Sequence, residues 1–318
     1  MTEKHKIKLS IIGVGHLGNF HTRIFSGFED VALVGVYDTN GDRCKEIADK
    51  YNTKAFRSVT EAINSADAVS VVVPTGFHFD TAMKCISAGK DLFLEKPITK
   101  TVDEAEKLIK EADKKNIILQ IGHVERFNSV ILTLEPYITN PRFIEVDRLG
   151  PYSLRNLDIG VVRDLMIHDI DILLHLVKSE VKQIHAVGFC VFSKTEDIAN
   201  ARIVFENGCV ANVNASRVSV KKLRKIRIFQ HDSYISIDYM DQKAKFYSIK
   251  PGARDPKSLL DLIERKRIKI KKNQPLDEEL RSFVDCVKNR TNPKVTGEHG
   301  KKALEIGAEI LCQINQYL

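Results

Sequence analysis

The sequence has no tryptophan in its 318 residues, and no apolar run approaching the roughly 20 residues of a membrane-spanning helix. Its basic N-terminus leads into an apolar stretch from Ile7 that glycines interrupt, so a signal peptide is not expected and a cytoplasmic location is. The cysteines (Cys44, Cys85, Cys190, Cys209, Cys286, Cys312) are scattered without paired metal-ligand spacing, which favours free thiols in a reducing compartment. No internal repeat and no low-complexity segment is present. Charge of one sign is also scarce: 49 basic against 42 acidic residues give a formal +7, which favours a small anionic ligand. The two basic clusters, 221–228 and 265–272, read as a half-solvated strand and a strand or loop. Neither interleaves aromatics for base stacking, so nucleic acid is not an expected partner.

What is present begins with a short grammar. Lys8-Leu9-Ser10-Ile11-Ile12 reads as a buried strand, followed at once by Gly13-Val14-Gly15-His16-Leu17-Gly18 and an amphipathic segment through Phe28. A second strand, Val31 to Tyr37, ends in Asp38. Strand, glycine turn, helix, strand and acid in that order is the pattern of a dinucleotide-binding unit. The first glycine allows the tight turn and the second lets backbone N–H groups approach a pyrophosphate. The third lets helix and strand pack closely. Asp38 is expected on the adenosine ribose, where a carboxylate favours NAD over NADP. Arg43 is near enough in sequence to soften the repulsion of a 2′-phosphate, and is otherwise read as a solvated helix residue or one lying against the adenine.

The alternation continues through further strands at Ala68–Val73, Leu92–Leu94 and Ile117–Ile121, with helices between them. Strands alternating with helices predict a doubly wound parallel sheet. Two more strand ends carry polar residues to its carboxyl edge: Pro74-Thr75, followed by His78, and Glu95-Lys96-Pro97. Expected cofactor contacts are therefore Gly13, Gly15, His16, Leu17, Gly18, Asp38 and Arg43, with Pro74, Thr75, His78, Glu95 and Lys96. After Gly122 the pattern changes to a helix near 124–134, a strand at 143–149, a long helix near 161–177 and then mostly strands. Asn207-Gly208 marks a hairpin among them. The expected architecture is α/β: residues 1–121 as a Rossmann domain, and 122–290 as an α+β domain with a largely antiparallel open sheet for substrate binding and oligomerisation. Residues 291–318 are expected to form a loop and a helix packing back on the core.

The long helix opens with Arg163-Asp164-Leu165-Met166-Ile167-His168-Asp169-Ile170-Asp171. Asp164 and His168 are four apart and share a helical face, so the carboxylate can hold the imidazole as a general base. Asp171 and His175 continue that face, which leaves a divalent-metal site, and with it a hydrolase, as another reading of the same residues. A non-catalytic NAD sensor is a third.

The glycine turn, Glu95-Lys96-Pro97 and Asp164-x-x-x-His168, in this order along the whole chain, resemble the Gfo/Idh/MocA oxidoreductases. The resemblance implies an NAD-dependent sugar dehydrogenase without metal. In it Lys96, Asp164 and His168 meet at the nicotinamide: His168 removes the hydroxyl proton, Lys96 polarises that hydroxyl, and Asp164 orients His168. Within the family, His123-Val124-Glu125-Arg126-Phe127-Asn128, and Gly150-Pro151 paired with 160–165, are similar to the UDP-N-acetylglucosamine 3-dehydrogenases; the family usually has proline where Ser129 stands. That narrower resemblance implies an anionic nucleotide-sugar substrate bound by Lys96, Arg126, Asn128, Arg155, Arg163, Asp164 and His168. It also implies coupling to a sugar aminotransferase that supplies 3-amino sugars for lipid A or surface polysaccharide. A homodimer or homotetramer through the open sheet is the expected assembly. Related substrates (the corresponding uronic acid, inositol, a free hexose) remain open.

Overall fold

Five short strands near the N-terminus pair only with parallel neighbours: β1 (Ile7–Ile12), β2 (Val31–Tyr37), β3 (Ala68–Val71), β4 (Asp91–Glu95) and β5 (Leu119–Gly122), in the order β2-β1-β3-β4-β5. In this computed structural model, which describes residues 6–153, 159–250 and 262–316, every residue of β3, β4 and β5 is buried. Their apolar runs follow from that double-sided burial. Five helices connect them: α1 (His16–Ser26), α2 (Gly41–Lys50), α3 (Val59–Asn64), α4 (His78–Ser87) and α5 (Val102–Lys114). Local chemistry sets three of their starts. Asn40 caps α2, Ser58 caps α3, and Thr101 with Glu104 forms a full capping box on α5. The strand order reverses between β1 and β3, which opens the ligand crevice of such sheets at their carboxyl ends.

The second sheet has eight strands: β6 (Pro141–Leu149), β7 (Val181–Phe189), β8 (Ile198–Phe205), β9 (Val210–Ser216), β10 (Leu223–Gln230), β11 (Ser233–Asp238), β12 (Lys243–Ile249) and β13 (Ile263–Lys266). Their order is β13-β12-β11-β10-β6-β9-β8-β7, antiparallel throughout except for the β6–β9 pair. Gly208, at φ +81°, makes the β8–β9 hairpin turn that Asn207-Gly208 announces. Helix α6 (Ser129–Leu134) precedes the sheet. One sheet face is apolar (Ile144, Val146, Ile203, Val213, Ile226 and Ile228 are buried), and helix α7 (Ile167–Val177) packs on that side of β6. On β7 the opposite face leaves Val187 and Phe189 47% and 60% exposed. From Leu223 the basic 221–228 cluster is, as expected, a half-buried strand, β10; Lys221 and Lys222 precede it and are exposed.

The chain divides into two compact units, and the division corrects the expected boundaries. Unit 1 is Met1–His123 with Leu276–Leu304; unit 2 is Val124–Pro275 with Glu305–Leu318. The helix α8 (Pro275–Asn289), expected in the second domain, belongs almost entirely to the first. Its Leu280, Phe283 and Val284 are fully buried in the core that holds Leu9, Ile11 and Phe25, and Phe283 meets Phe93 edge-on at 5.8 Å. The last helix, α9 (Gly297–Ile314), divides between the units. In unit 1 its Gly297 and Gly300 admit Ile109 and Ile121 so closely that a Cβ would stand 2.7 Å and 3.0 Å from them. Burial of an apolar face decides where a returning helix docks, and chain order carries no information about it.

Candidate active site

In unit 1 four strand ends supply the site. Gly13 follows β1 at φ +92°, and a Cβ there would lie 2.4 Å from the Val72 carbonyl oxygen at the exit of β3. A Cβ at Gly18 would lie 2.0 Å from the Gly13 carbonyl oxygen, so this glycine lets α1 close onto the turn. Gly15 differs: nothing lies nearer its Cβ position than Arg43 Nη1 at 3.9 Å. The space in front of Gly15 at the start of α1, faced by a guanidinium, suits a pyrophosphate. His16 and Leu17 form the exposed first turn of that helix.

Asp38 closes the turn from the end of β2. Its Oδ2 accepts the Val14 N–H at 2.8 Å and its Oδ1 the Asn40 N–H at 2.9 Å. Each oxygen keeps a lone pair for a ribose hydroxyl, and the fixed negative charge disfavours a 2′-phosphate. Pro74 and Thr75 follow β3 at the surface.

The fourth strand end is Glu95-Lys96-Pro97, with a cis Lys96–Pro97 bond. Glu95 is buried, its Oε1 is 3.2 Å from His21 Nε2, and its Oε2 accepts the Lys96 N–H at 3.2 Å. His21 is held in turn by Ser70, Nδ1 to Oγ 3.0 Å. Gly122 on β5 leaves room for the Glu95 carboxylate, which a Cβ there would meet at 2.9 Å. Lys96 itself is half-buried. The Glu95 side chain therefore fixes the turn, a correction to its expected contact with cofactor.

In unit 2 the helix expected from 161 is not α-helical at its start. Val162–Met166 forms a π-turn that runs into α7. Wider i→i+5 turns of this kind concentrate at functional sites. Arg163, Asp164 and His168 are half-buried, whereas Met166, Asp169 and Asp171 face inward. The start of the turn is held from far along the chain: Glu196 Oε1 accepts the Val162 N–H at 3.1 Å, a carboxylate at a helix N-terminus. Gly160 leaves room for that carboxylate, which a Cβ there would meet at 2.0 Å and displace. Arg217 donates to the Ile159 carbonyl at 2.6 Å and to Asp197 Oδ1 at 2.6 Å. Burial alone would raise the Asp197 carboxyl; three backbone N–H groups and Arg217 hold it below the usual carboxylate range.

Beneath this turn lies a buried ionic network. Arg148 grips both oxygens of Asp169 at 2.6 Å and 2.8 Å and reaches Glu125 at 3.1 Å. Burial pushes the Asp169 carboxyl up, against the pull of the Arg148 guanidinium. Arg224 stands 3.9 Å from Glu125; burial and Arg148 push its guanidinium down, while Glu125, Asp169 and Asp164 oppose them. Sequence reading missed Arg148, Asp169, Glu196 and Arg224 as parts of the site. Only the alternation that puts Arg224 on the face of Ile226 and Ile228 signals any of them.

Several expected ligand contacts are corrected. Arg126, assigned to a diphosphate, is 1% exposed and bidentate to Asp171, at 2.7 Å and 3.2 Å. Asn128 is buried with its hydrogen-bonding atoms engaged: its amide donates to Glu125 and the Tyr239 carbonyl, and its oxygen accepts the Val130 N–H. His78, assigned to cofactor, is 1% exposed with both ring nitrogens on backbone carbonyls. His175 pairs with Glu135 and Asp171 with Arg126, so neither extends the face of Asp164 and His168 as a metal site requires. Arg163 keeps its role as a candidate: its buried Nε has no hydrogen-bond partner among the described residues. Arg155 lies outside the described residues. Ser129, standing in for proline, donates its N–H to Asn273 and its hydroxyl to Gln242, and proline lacks the first of these donors.

Residues 7–123 match the oxidoreductase family with an NAD-binding Rossmann fold, and residues 121–234 match the GFO/IDH/MocA C-terminal domain. The chain belongs to the Gfo/Idh/MocA oxidoreductases. As a member of this family it is an NAD-dependent dehydrogenase, consistent with the Gly15 space and the Asp38 carboxylate. It is 33% identical to a UDP-N-acetylglucosamine 3-dehydrogenase of Acidithiobacillus ferrooxidans, over 98% of both chains. It is 27% identical to a myo-inositol 2-dehydrogenase of Thermotoga maritima, over 95% of this chain and 94% of that one. A solved structure of the Acidithiobacillus enzyme superposes with a TM-score of 0.90 at 32% identity, covering 98% of this chain and 99% of that one. No helix among the described residues is long and apolar enough to cross a membrane.

Proposed function

We propose that this family member oxidises the 3-hydroxyl of UDP-N-acetylglucosamine to a ketone, which a sugar aminotransferase then consumes to make a 3-amino sugar for lipid A or a surface polysaccharide. The observation that carries this reading is the full-length likeness to the Acidithiobacillus 3-dehydrogenase. His168 takes the hydroxyl proton. Asp164, four residues earlier in the π-turn, orients that imidazole and balances its charge. Lys96, carried by a turn that Glu95 and Pro97 fix, donates to the reacting oxygen and stabilises it as negative charge develops. Bound NAD supplies the hydride acceptor. Arg163, half-buried on the π-turn, is the guanidinium that would meet the diphosphate. The carboxyl edge of β1 and β2 would bind the dinucleotide through Gly13, Gly15, Gly18, Asp38 and Arg43.

The open sheet face supports a homodimer or homotetramer. Besides Val187 and Phe189 it carries a run of rings, Phe143, Phe229, Tyr234 and Tyr247, with successive centroids 5.8, 4.9 and 6.2 Å apart.

The substrate test is direct. The purified protein with NAD and UDP-N-acetylglucosamine should generate NADH absorbance, increased by an aminotransferase that drains the ketone. Turnover of myo-inositol or a free hexose with none of the UDP-sugar overturns the substrate assignment. Lys96→Met and His168→Ala should each lower turnover by about 10²-fold or more while NAD affinity is retained. Undiminished turnover in either variant removes that residue from the chemistry.

A further inference from the structure

His78 is a buried histidine that the proposed chemistry does not use. It opens α4, and its ring spans two strand ends. Nδ1 lies 2.7 Å from the Pro97 carbonyl oxygen, one residue beyond Lys96, and Nε2 lies 2.8 Å from the Val73 carbonyl oxygen, one residue before Pro74. The residue is 1% exposed, so bulk water does not compete for either carbonyl. A neutral imidazole carries one N–H and satisfies one carbonyl, whereas the imidazolium satisfies both. Burial pushes the ring toward its neutral form, while the two carbonyls and the nearby Glu95 carboxylate favour the charged one. In either form the ring fills the gap between the two strand ends; the charged ring bonds both carbonyl oxygens, and the neutral ring bonds one and abuts the other.

We propose that His78 is a positioning residue that couples dinucleotide affinity to the placement of Lys96. It ties the turn after β4 to the loop after β3. On the other side of the same turn the Glu95 carboxylate accepts the Lys96 N–H, with His21 Nε2 3.2 Å from its other oxygen, so the backbone at Lys96 is bounded on both flanks. Loss of the His78 ring frees the Val73 and Pro97 carbonyls together. One variant should therefore disturb both cofactor binding and turnover, whereas removal of the Lys96 ammonium should disturb turnover alone. This inference rests on the reading of Lys96 as the residue that polarises the hydroxyl.

The test compares His78→Phe, which keeps a ring of similar shape without N–H groups, with His78→Gln, which keeps a donor, and with Lys96→Met. NAD affinity is measured by titration calorimetry on each folded protein, and kcat with UDP-N-acetylglucosamine is normalised to folded protein. His78→Phe should weaken NAD about tenfold and lower kcat about tenfold, with His78→Gln intermediate on both. Lys96→Met should lower kcat with NAD affinity unchanged. If His78→Phe does not fold, His78→Gln is judged against the wild type by the same two readouts. A His78 variant with a lower melting temperature but wild-type NAD affinity and kcat overturns the proposal. If Lys96→Met keeps full turnover while His78→Phe weakens NAD, the reading of Lys96 fails and the tie to the cofactor loop stands.

Discussion

The two candidate regions, one in each unit, are built in opposite ways. The cofactor edge of unit 1 is made of backbone: three glycines, the N-terminus of α1, and strand ends whose carbonyls and N–H groups are held by Asp38, Glu95 and His78. The π-turn of unit 2 is held by side-chain charge instead. Arg148–Asp169 and Arg126–Asp171 are buried below it, and Glu196 and Arg217 hold its start. A backbone site tolerates no added carbon but carries little buried charge. A charged site depends on pairs that are costly only when broken singly.

The widest separation between the two designs should come from breaking one buried pair. Arg126 and Asp171 are 1% and 2% exposed at their side chains. Arg126→Ala leaves a carboxylate without its partner and should cost about 3–5 kcal/mol of stability. The pair Arg126→Met with Asp171→Leu removes both charges and should recover most of that loss. Urea unfolding of the three proteins decides it. A single variant within about 1 kcal/mol of the wild type would mean that the pair is not what holds this helix.

The glycines sharpen the comparison at smaller cost. Gly18→Ala forces a Cβ to 2.0 Å from the Gly13 carbonyl oxygen, so both folding and NAD binding should suffer. Gly15 has φ −62°, which alanine adopts freely, and its Cβ would meet no protein atom nearer than 3.9 Å. Gly15→Ala should hold its stability within about 0.5 kcal/mol and weaken NAD about tenfold, or about 1.4 kcal/mol, by filling the space meant for the pyrophosphate. Unchanged NAD affinity in Gly15→Ala would place the dinucleotide elsewhere.

The same contrast explains what could be read from the sequence. The glycine turn, Asp38 and the parallel alternation are local patterns, because each depends on residues within a strand, a turn or a helix of one another. The ion pairs are not local. Arg148 finds Asp169 21 residues away and Arg126 finds Asp171 45 away, so an arginine near the site was open to being read as a phosphate ligand. The π-turn escaped for a related reason, since its cause lies in Glu196 and Gly160 rather than in residues 162–166. His78 opens the helix that follows Pro74-Thr75, and only the packed structure shows its ring turned inward onto two carbonyls.

The smallest expected effect concerns a charge pair at the surface of the backbone-built unit, and it shows how little such a pair contributes beside the buried ones. Asp30 accepts from Arg281 on α8 at 2.7 Å and 3.1 Å, with Lys288 at 3.1 Å. The Arg281 guanidinium, with help from Lys288 and against partial burial, lowers the Asp30 carboxyl from its ordinary 3.8 to about 2. A depressed carboxylate stabilises the fold above its unfolded pKa, and that stability drains away as pH falls from about 4 toward 2. The carboxylate is 22% exposed, so solvent screening reduces the contribution to about 1 kcal/mol. Asp30→Asn should therefore be about 1 kcal/mol less stable than the wild type at neutral pH, and the two should converge near pH 2. A gap that stays the same down to pH 2 would show that the substitution disturbs packing against α8 rather than removing a charge.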